Sequence, residues 1–150
     1  MSKNGRDKEY APVVEALAPV LHNLPPRIIA IDGRPYSGKT TLGRFLSWWF
    51  NISLIETDLF LFEGEGRYRY REEEVARIID ARMSTDRPVI IEGVTVLRQL
   101  AAINRAADFL IYVENASAPT LQREYEVQFK DYEAEFKPRQ RAGFTLKLDH

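Results

Sequence analysis

A chain of 150 residues, 45% hydrophobic and 29% charged, is long enough to bury one core and short for two ordinary domains. Its formal charge of −1 leaves no excess of Lys and Arg for general binding along a nucleic-acid backbone. It has no cysteine, which excludes disulfides, thiol catalysis and zinc–thiolate sites, and its two histidines, His22 and His150, argue against a histidine metal cluster or a Ser-His-Asp triad.

The polar stretch 1–9 is expected to be disordered. No apolar export segment follows it and no run of 18 apolar residues occurs, so a cytoplasmic location away from membranes is the expectation. Tyr10, Val13, Val14, Leu17, Val20, Leu21 and Leu24 recur at helical spacing, which predicts a packing helix with Pro12 in its first turn and a kink or break at Pro19. Pro25-Pro26 ends it. Arg27-Ile28-Ile29-Ala30-Ile31-Asp32 is a short β-branched run and reads as a buried strand. Then comes Gly33-Arg34-Pro35-Tyr36-Ser37-Gly38-Lys39-Thr40, which fits the phosphate-loop pattern G-x-x-x-x-G-K-[ST]. Leu42, Phe45, Leu46 and Trp49 follow at helical spacing, so a helix starts near Lys39 and buries that stripe.

Strand, glycine-bounded loop and helix together form an anion site. The glycines let the backbone turn tightly, and the freed N–H groups join the positive end of the helix dipole in facing negative charge. Residues Gly33, Arg34, Pro35, Tyr36, Ser37, Gly38, Lys39, Thr40 and Thr41 are thus the expected nucleotide cradle. Lys39 would reach the β- and γ-phosphates, and Thr40 would sit on Mg²⁺.

Beyond the cradle, Ile52-Ser53-Leu54-Ile55-Glu56-Thr57-Asp58 reads as a strand ending in acids, and 63–71 as a loop of alternating arginine and tyrosine. Val75, Ile78, Ile79 and Met83 carry a helix, with Glu72-Glu73-Glu74 suited to the dipole at its start. Val89-Ile90-Ile91 is a third strand ending at Glu92-Gly93, and Thr95 caps a helix running to about Arg105. Phe109–Val113 is a fourth strand. A long helix is expected from Ser117 to about Phe136, with Pro138 stopping it and a fifth strand over Phe144–Leu148. Alternating strands and helices imply one α/β domain over 1–150, a three-layer α/β/α with a parallel sheet covered on both faces. Ligands bind such sheets beyond the carboxyl ends of the strands, where Gly33, Asp58 and Glu92 all stand.

The acids assign the chemistry. Glu92 closes the third strand where a carboxylate can hold Mg²⁺ opposite Thr40, as the Walker-B acid does. Asp58 would face the γ-phosphate from the acceptor side, as a general base or hydroxyl binder. Arg67, Arg69 and Arg71 could clamp an anionic acceptor, and Arg123 could close over the transferring group from a lid. Two features separate this pattern from a GTPase: Glu92-Gly93-Val94-Thr95 is not Asp-x-x-Gly, and no N-K-x-D guanine reader occurs. The aromatic and basic content at 48–49 and 67–71 is also compatible with nucleic-acid stacking, but the helix that follows the loop is expected to bury Trp49.

Ile31-Asp32-Gly33…Gly38-Lys39-Thr40-Thr41, then Thr57-Asp58-Leu59-Phe60, then Val89-Ile90-Ile91-Glu92-Gly93 resembles the uridine kinase-like P-loop kinases, and the fourth strand with Leu121-Gln122-Arg123 is similar to that family's strand and lid helix. The resemblance implies a P-loop NTPase fold with a five-stranded sheet in the order 2-3-1-4-5. It implies ATP with Mg²⁺ as donor and transfer of the γ-phosphate to the hydroxyl of a nucleoside or similar metabolite. By position, Asp58 would be the acceptor-side base and Arg123 a lid arginine; Asp58, Phe60, Arg67 and Arg69 are the candidate acceptor contacts. Leu61 stands where the family continues with tyrosine, no histidine lies between 22 and 150, and one lid arginine replaces several. The alternative is a nucleotide-binding module without phosphotransfer, distinguished by whether Asp58 and Glu92 both face the phosphate site. The sequence does not set the oligomeric state, with a dimer one option.

Overall fold

A computed structural model describes residues 5–62 and 69–150. Arg67, and with it most of the loop expected over 63–71, lies outside the described residues. The chain runs α1 (Arg6–Leu17), β1 (Ile28–Gly33), α2 (Lys39–Phe50), β2 (Ser53–Glu56), a 3₁₀ turn (Thr57–Phe60), α3 (Glu72–Met83), β3 (Val89–Glu92), α4 (Val96–Ala102), β4 (Phe109–Asn115), α5 (Arg123–Phe136), α6 (Pro138–Arg141) and β5 (Phe144–Leu148). The strands form one sheet in the order β2-β3-β1-β4-β5, every neighbouring pair parallel. Placing β1 at the centre sets Glu92 beside Ile31 on one flank and beside Glu56 on the other.

The β-branched runs are buried on both sides because each face of the sheet is covered. Ile29, Ile31, Ile90 and Ile111 pack with Leu42, Phe45 and Leu46 of α2 and with Tyr10, Val13 and Leu17 of α1. Ile28, Ala30, Val89 and Ile91 pack on the opposite face with Val75 and Ile79 of α3, Leu97 and Leu100 of α4, and Tyr132 of α5. Each such aliphatic or aromatic side chain contributes about 1.5–3 kcal/mol by leaving water. Among the described residues no helix is long and apolar enough to cross a membrane.

Several boundaries differ from expectation. The disorder expected through residue 9 does not hold over Arg6–Glu9, which open α1. Asp7 and Glu9 lie in its first turn, where they suit the dipole, and Glu9 meets His150 at 2.9 Å. Pro12 sits inside this helix instead of in its first turn, and α1 ends at Leu17, ahead of Pro19. α5 begins at Arg123, not Ser117, and ends where Lys137 turns left-handed at φ 49°. Pro138 starts α6 at its first position, where its missing N–H is no loss, so it opens a turn of helix as well as closing one. Trp49 is 49% exposed and Trp48 63% exposed, because the buried stripe of α2 ends at Leu46.

Candidate active site

The chain leaves β1 at Gly33, and the backbone there is crowded: a Cβ would lie 2.6 Å from Ser37 Oγ and 2.7 Å from the carbonyl oxygen of Val113. Only glycine lets the loop fold back this closely. Gly38 follows at φ 100°, a left-handed conformation that delivers the chain into α2 at Lys39. The first amides of α2 therefore point to the open end of the sheet, beside the carboxyl ends of β2 and β3.

Lys39 is 8% exposed, and its Nζ donates to the carbonyl oxygen of Arg34 at 3.2 Å. Burial holds its ammonium below the usual lysine range, against the opposing pull of Glu92, Asp32 and Asp58. Thr40 Oγ1 donates to Glu92 Oε1 at 3.0 Å. Glu92 is 1% exposed, and burial raises its pKa although Lys39 and Thr40 act to lower it. Asp58 stands in the 3₁₀ turn directly after β2, not on the strand itself, because the strand ends at Glu56. Even so, carboxylate oxygens of Glu56, Asp58 and Glu92 lie within 4.8 Å of one another. Hard oxygen donors at this density, with the Thr40 hydroxyl among them, are the set that suits Mg²⁺.

Lys39, Thr40, Asp58 and Glu92 all open into one cavity of about 490 Å³. Its remaining wall is more apolar: Tyr36 and Pro35 from the loop, Leu61 and Tyr70 from the segment after β2, and Val94 after β3. A single ladder bridge between Leu61 and Tyr70 brings these two into the wall.

Other expected residues stand elsewhere. The Arg34 guanidinium does not face the cavity. It donates to Glu133 at 2.5 Å and to Glu126 at 2.6 Å, which raises its pKa and ties the loop to α5. Any contact it makes with a nucleotide falls to its backbone. Phe60 does not line the cavity; it packs toward α3 and the second core, with the Arg71 guanidinium 5.9 Å over its ring. Arg69 lies 4.9 Å over the ring of Phe62, outside the lining as well. Arg123 is exposed and borders a separate shallow hollow with Gln122, Glu124 and Val127. A 3₁₀ turn and one ladder bridge redirect the residues after Asp58, which no spacing in the sequence signals. The sequence reading gave no cavity role to Leu61, Tyr70 or Val94, and none to Asp32 beyond its place at the end of the strand before the loop.

No family model matches the chain. Over 111 residues it is 32% identical to a shikimate kinase of Rhodococcus erythropolis, covering 65% of this chain and 64% of that one. Over 107 residues it is 27% identical to a shikimate kinase of Corynebacterium diphtheriae, covering 64% and 61%. The chain thus spans less than two thirds of the length of these curated relatives. Among solved structures, a possible uridine kinase from Bacillus stearothermophilus superposes with a TM-score of 0.63 over 92% of this chain and 99% of that one, at 16% identity. A shikimate kinase from Acinetobacter baumannii, in complex with shikimate, gives 0.53 over 89% and 88%, at 19% identity. This is the P-loop kinase fold. Within it the order implied by the resemblance, 2-3-1-4-5, is the order observed.

Proposed function

We propose that this protein is an ATP-dependent kinase that transfers the γ-phosphate to a hydroxyl group of a small molecule. The observation that carries the reading is the convergence of Lys39, Thr40, Glu92 and Asp58 on one cavity at the carboxyl ends of the strands. The amides of Gly33–Thr41 cradle the phosphates, and Lys39, already held over the loop, moves its ammonium from the Arg34 carbonyl to the β- and γ-phosphates. Thr40 and Glu92 would hold Mg²⁺, and the bound ion would neutralise charge on the phosphates. Asp58 takes the acceptor hydroxyl, orients it toward phosphorus and accepts its proton. Leu61, Tyr70 and Val94 keep water from competing with it.

The names of the relatives span shikimate and uridine kinases, so the acceptor is assigned as a small-molecule hydroxyl and not as a nucleoside in particular. A single domain and a cytoplasmic location belong to the same proposal. The lid role expected of Arg123 has the least support, since that side chain stands apart from the cavity. Its position favours the second reading, a nucleotide-binding module that does not transfer phosphate. ATP consumption with Mg²⁺ across nucleosides, sugars, other neutral alcohols and hydroxy acids, with Lys39→Ala as blank, separates the two. Acceptor-dependent turnover above the blank is the expected result. Tight Mg²⁺–ATP binding without any such turnover would favour the module.

A further inference from the structure

One buried hydroxyl joins the two sides of this cavity. Tyr132, on α5, is 2% exposed. Its Oη donates to Asp32 Oδ2, and it accepts the Leu97 N–H at 3.2 Å. Asp32 is 1% exposed, and its other oxygen accepts the Gly33 N–H at 2.8 Å, the first amide of the phosphate loop. Leu97 lies one turn past the Glu92-Gly93-Val94 stretch that forms the facing wall. A continuous chain of hydrogen bonds therefore runs from the loop, through α5, to the start of α4. The same helix is tied to the loop again by Arg34, Glu126 and Glu133, and its Phe129 packs with Tyr70 and Val94 of the wall.

Packing alone does not account for this arrangement. A carboxylate buried in an apolar layer costs free energy, and well-packed apolar residues of similar volume are often as stable or more so. Phosphoryl transfer, in contrast, depends on holding donor and acceptor within a fraction of an ångström, and a misplacement of about 1 Å costs on the order of 100-fold in rate. We propose that Tyr132 is a positioning residue for phosphoryl transfer: through Asp32 and Leu97 its hydroxyl fixes the phosphate loop in register with the Glu92–Val94 wall. This rests on the kinase reading above. The groups that face Asp32 are Tyr132 and Glu133 from α5, Lys39 from α2 and Tyr112 from β4, so removing one hydroxyl leaves its other neighbours in place.

The test compares Tyr132→Phe with Tyr112→Phe. Tyr112 is likewise buried, and its hydroxyl reaches Glu133 at 3.3 Å but neither Asp32 nor α4. The probe is Mg²⁺·ATP with nucleosides, sugars, other neutral alcohols and hydroxy acids as phosphoryl acceptors, measured on wild type, both variants and Lys39→Ala, with folding followed by circular dichroism and thermal melting. For Tyr132→Phe the expected result is a cooperative melt, KM for ATP within about 3-fold of wild type, and kcat lower by roughly 10- to 100-fold. Tyr112→Phe should leave both constants within about 2-fold. Asp32→Asn should reproduce the kcat loss, and the double variant should be no worse than the weaker single variant, since both cut one network. An unchanged kcat per folded molecule, with only a lower Tm, would make Tyr132 structural and overturn the proposal. Should Tyr132→Phe fail to fold, Asp32→Asn decides in the same way. Wild-type turnover no greater than that of Lys39→Ala with every one of these acceptors would instead sink the kinase reading, and this inference with it.

Discussion

Lys39 and Asp58 sit in the same cavity but should fail differently when replaced. Lys39→Ala removes a buried cation from the phosphate cradle, and affinity for Mg²⁺·ATP should fall roughly 10- to 100-fold, the value of one or two charge-assisted hydrogen bonds. Calorimetry on the variant checks this. Asp58→Asn keeps the shape but cannot accept the proton, so nucleotide affinity should hold while acceptor-dependent kcat drops about 10²–10⁴-fold. Wild-type kcat in Asp58→Asn would remove it as the base. Asp32 has a pH signature of its own. Burial raises its carboxyl from near 3.8 to about 7, against the lowering effects of Tyr132 and the Gly33 amide. The folded chain then keeps a proton that the unfolded chain has lost. The stability this contributes is complete below pH 3.8 and is lost as pH climbs to about 7, with a slope of no more than ~1.4 kcal/mol per pH unit. Tm measured against pH should therefore fall more steeply across that window for wild type than for Asp32→Asn. Parallel curves would count against a raised Asp32.

At the scale of elements, the turn from β1 into α2 is the part most closely set by sterics. Gly33→Ala would press a methyl group against the Ser37 hydroxyl and the Val113 carbonyl oxygen, and the latter, a backbone atom, cannot yield without opening the β1–β4 pairing. A loss of about 1–3 kcal/mol in urea unfolding, typical of overpacking, is expected. The sequence made this element legible, because strand, two glycines and helix each have local signatures. It misjudged α2's far end. Phe45, Leu46 and Trp49 share a helical stripe in the sequence, yet the burial stops at Leu46, and Trp49 rests on Phe45 at 5.8 Å with half its surface in water. Periodicity reports which face a residue takes, not whether anything covers it. The start of α5 shows the same limit: apolar spacing from Leu121 onward continues a pattern, but regular helix begins only at Arg123.

For the whole molecule, the sheet gathers at one edge groups that lie far apart in sequence, and ligand binding should therefore report on global stability. Mg²⁺·ATP at about 100 times its Kd should add about 2.7 kcal/mol, or roughly 5–10 °C in Tm. Scanning calorimetry should show this for wild type and a much smaller shift for Lys39→Ala.

The sequence by itself determined the parallel α/β architecture, the phosphate loop and the acids at the strand ends. Each of these rests on local chemistry: β-branched runs, glycines where the backbone must turn, and a helix dipole facing an anion. Tertiary structure alone decided which of the other side chains join the cavity. Arg34 was drawn to Glu126 and Glu133, 92 and 99 residues away, Arg123 was left outside, and Tyr132 met Asp32 across 100 residues. Those pairings depend on what Phe129 and Tyr132 of α5 pack against; their helical spacing marks them as an apolar face but does not encode the partners.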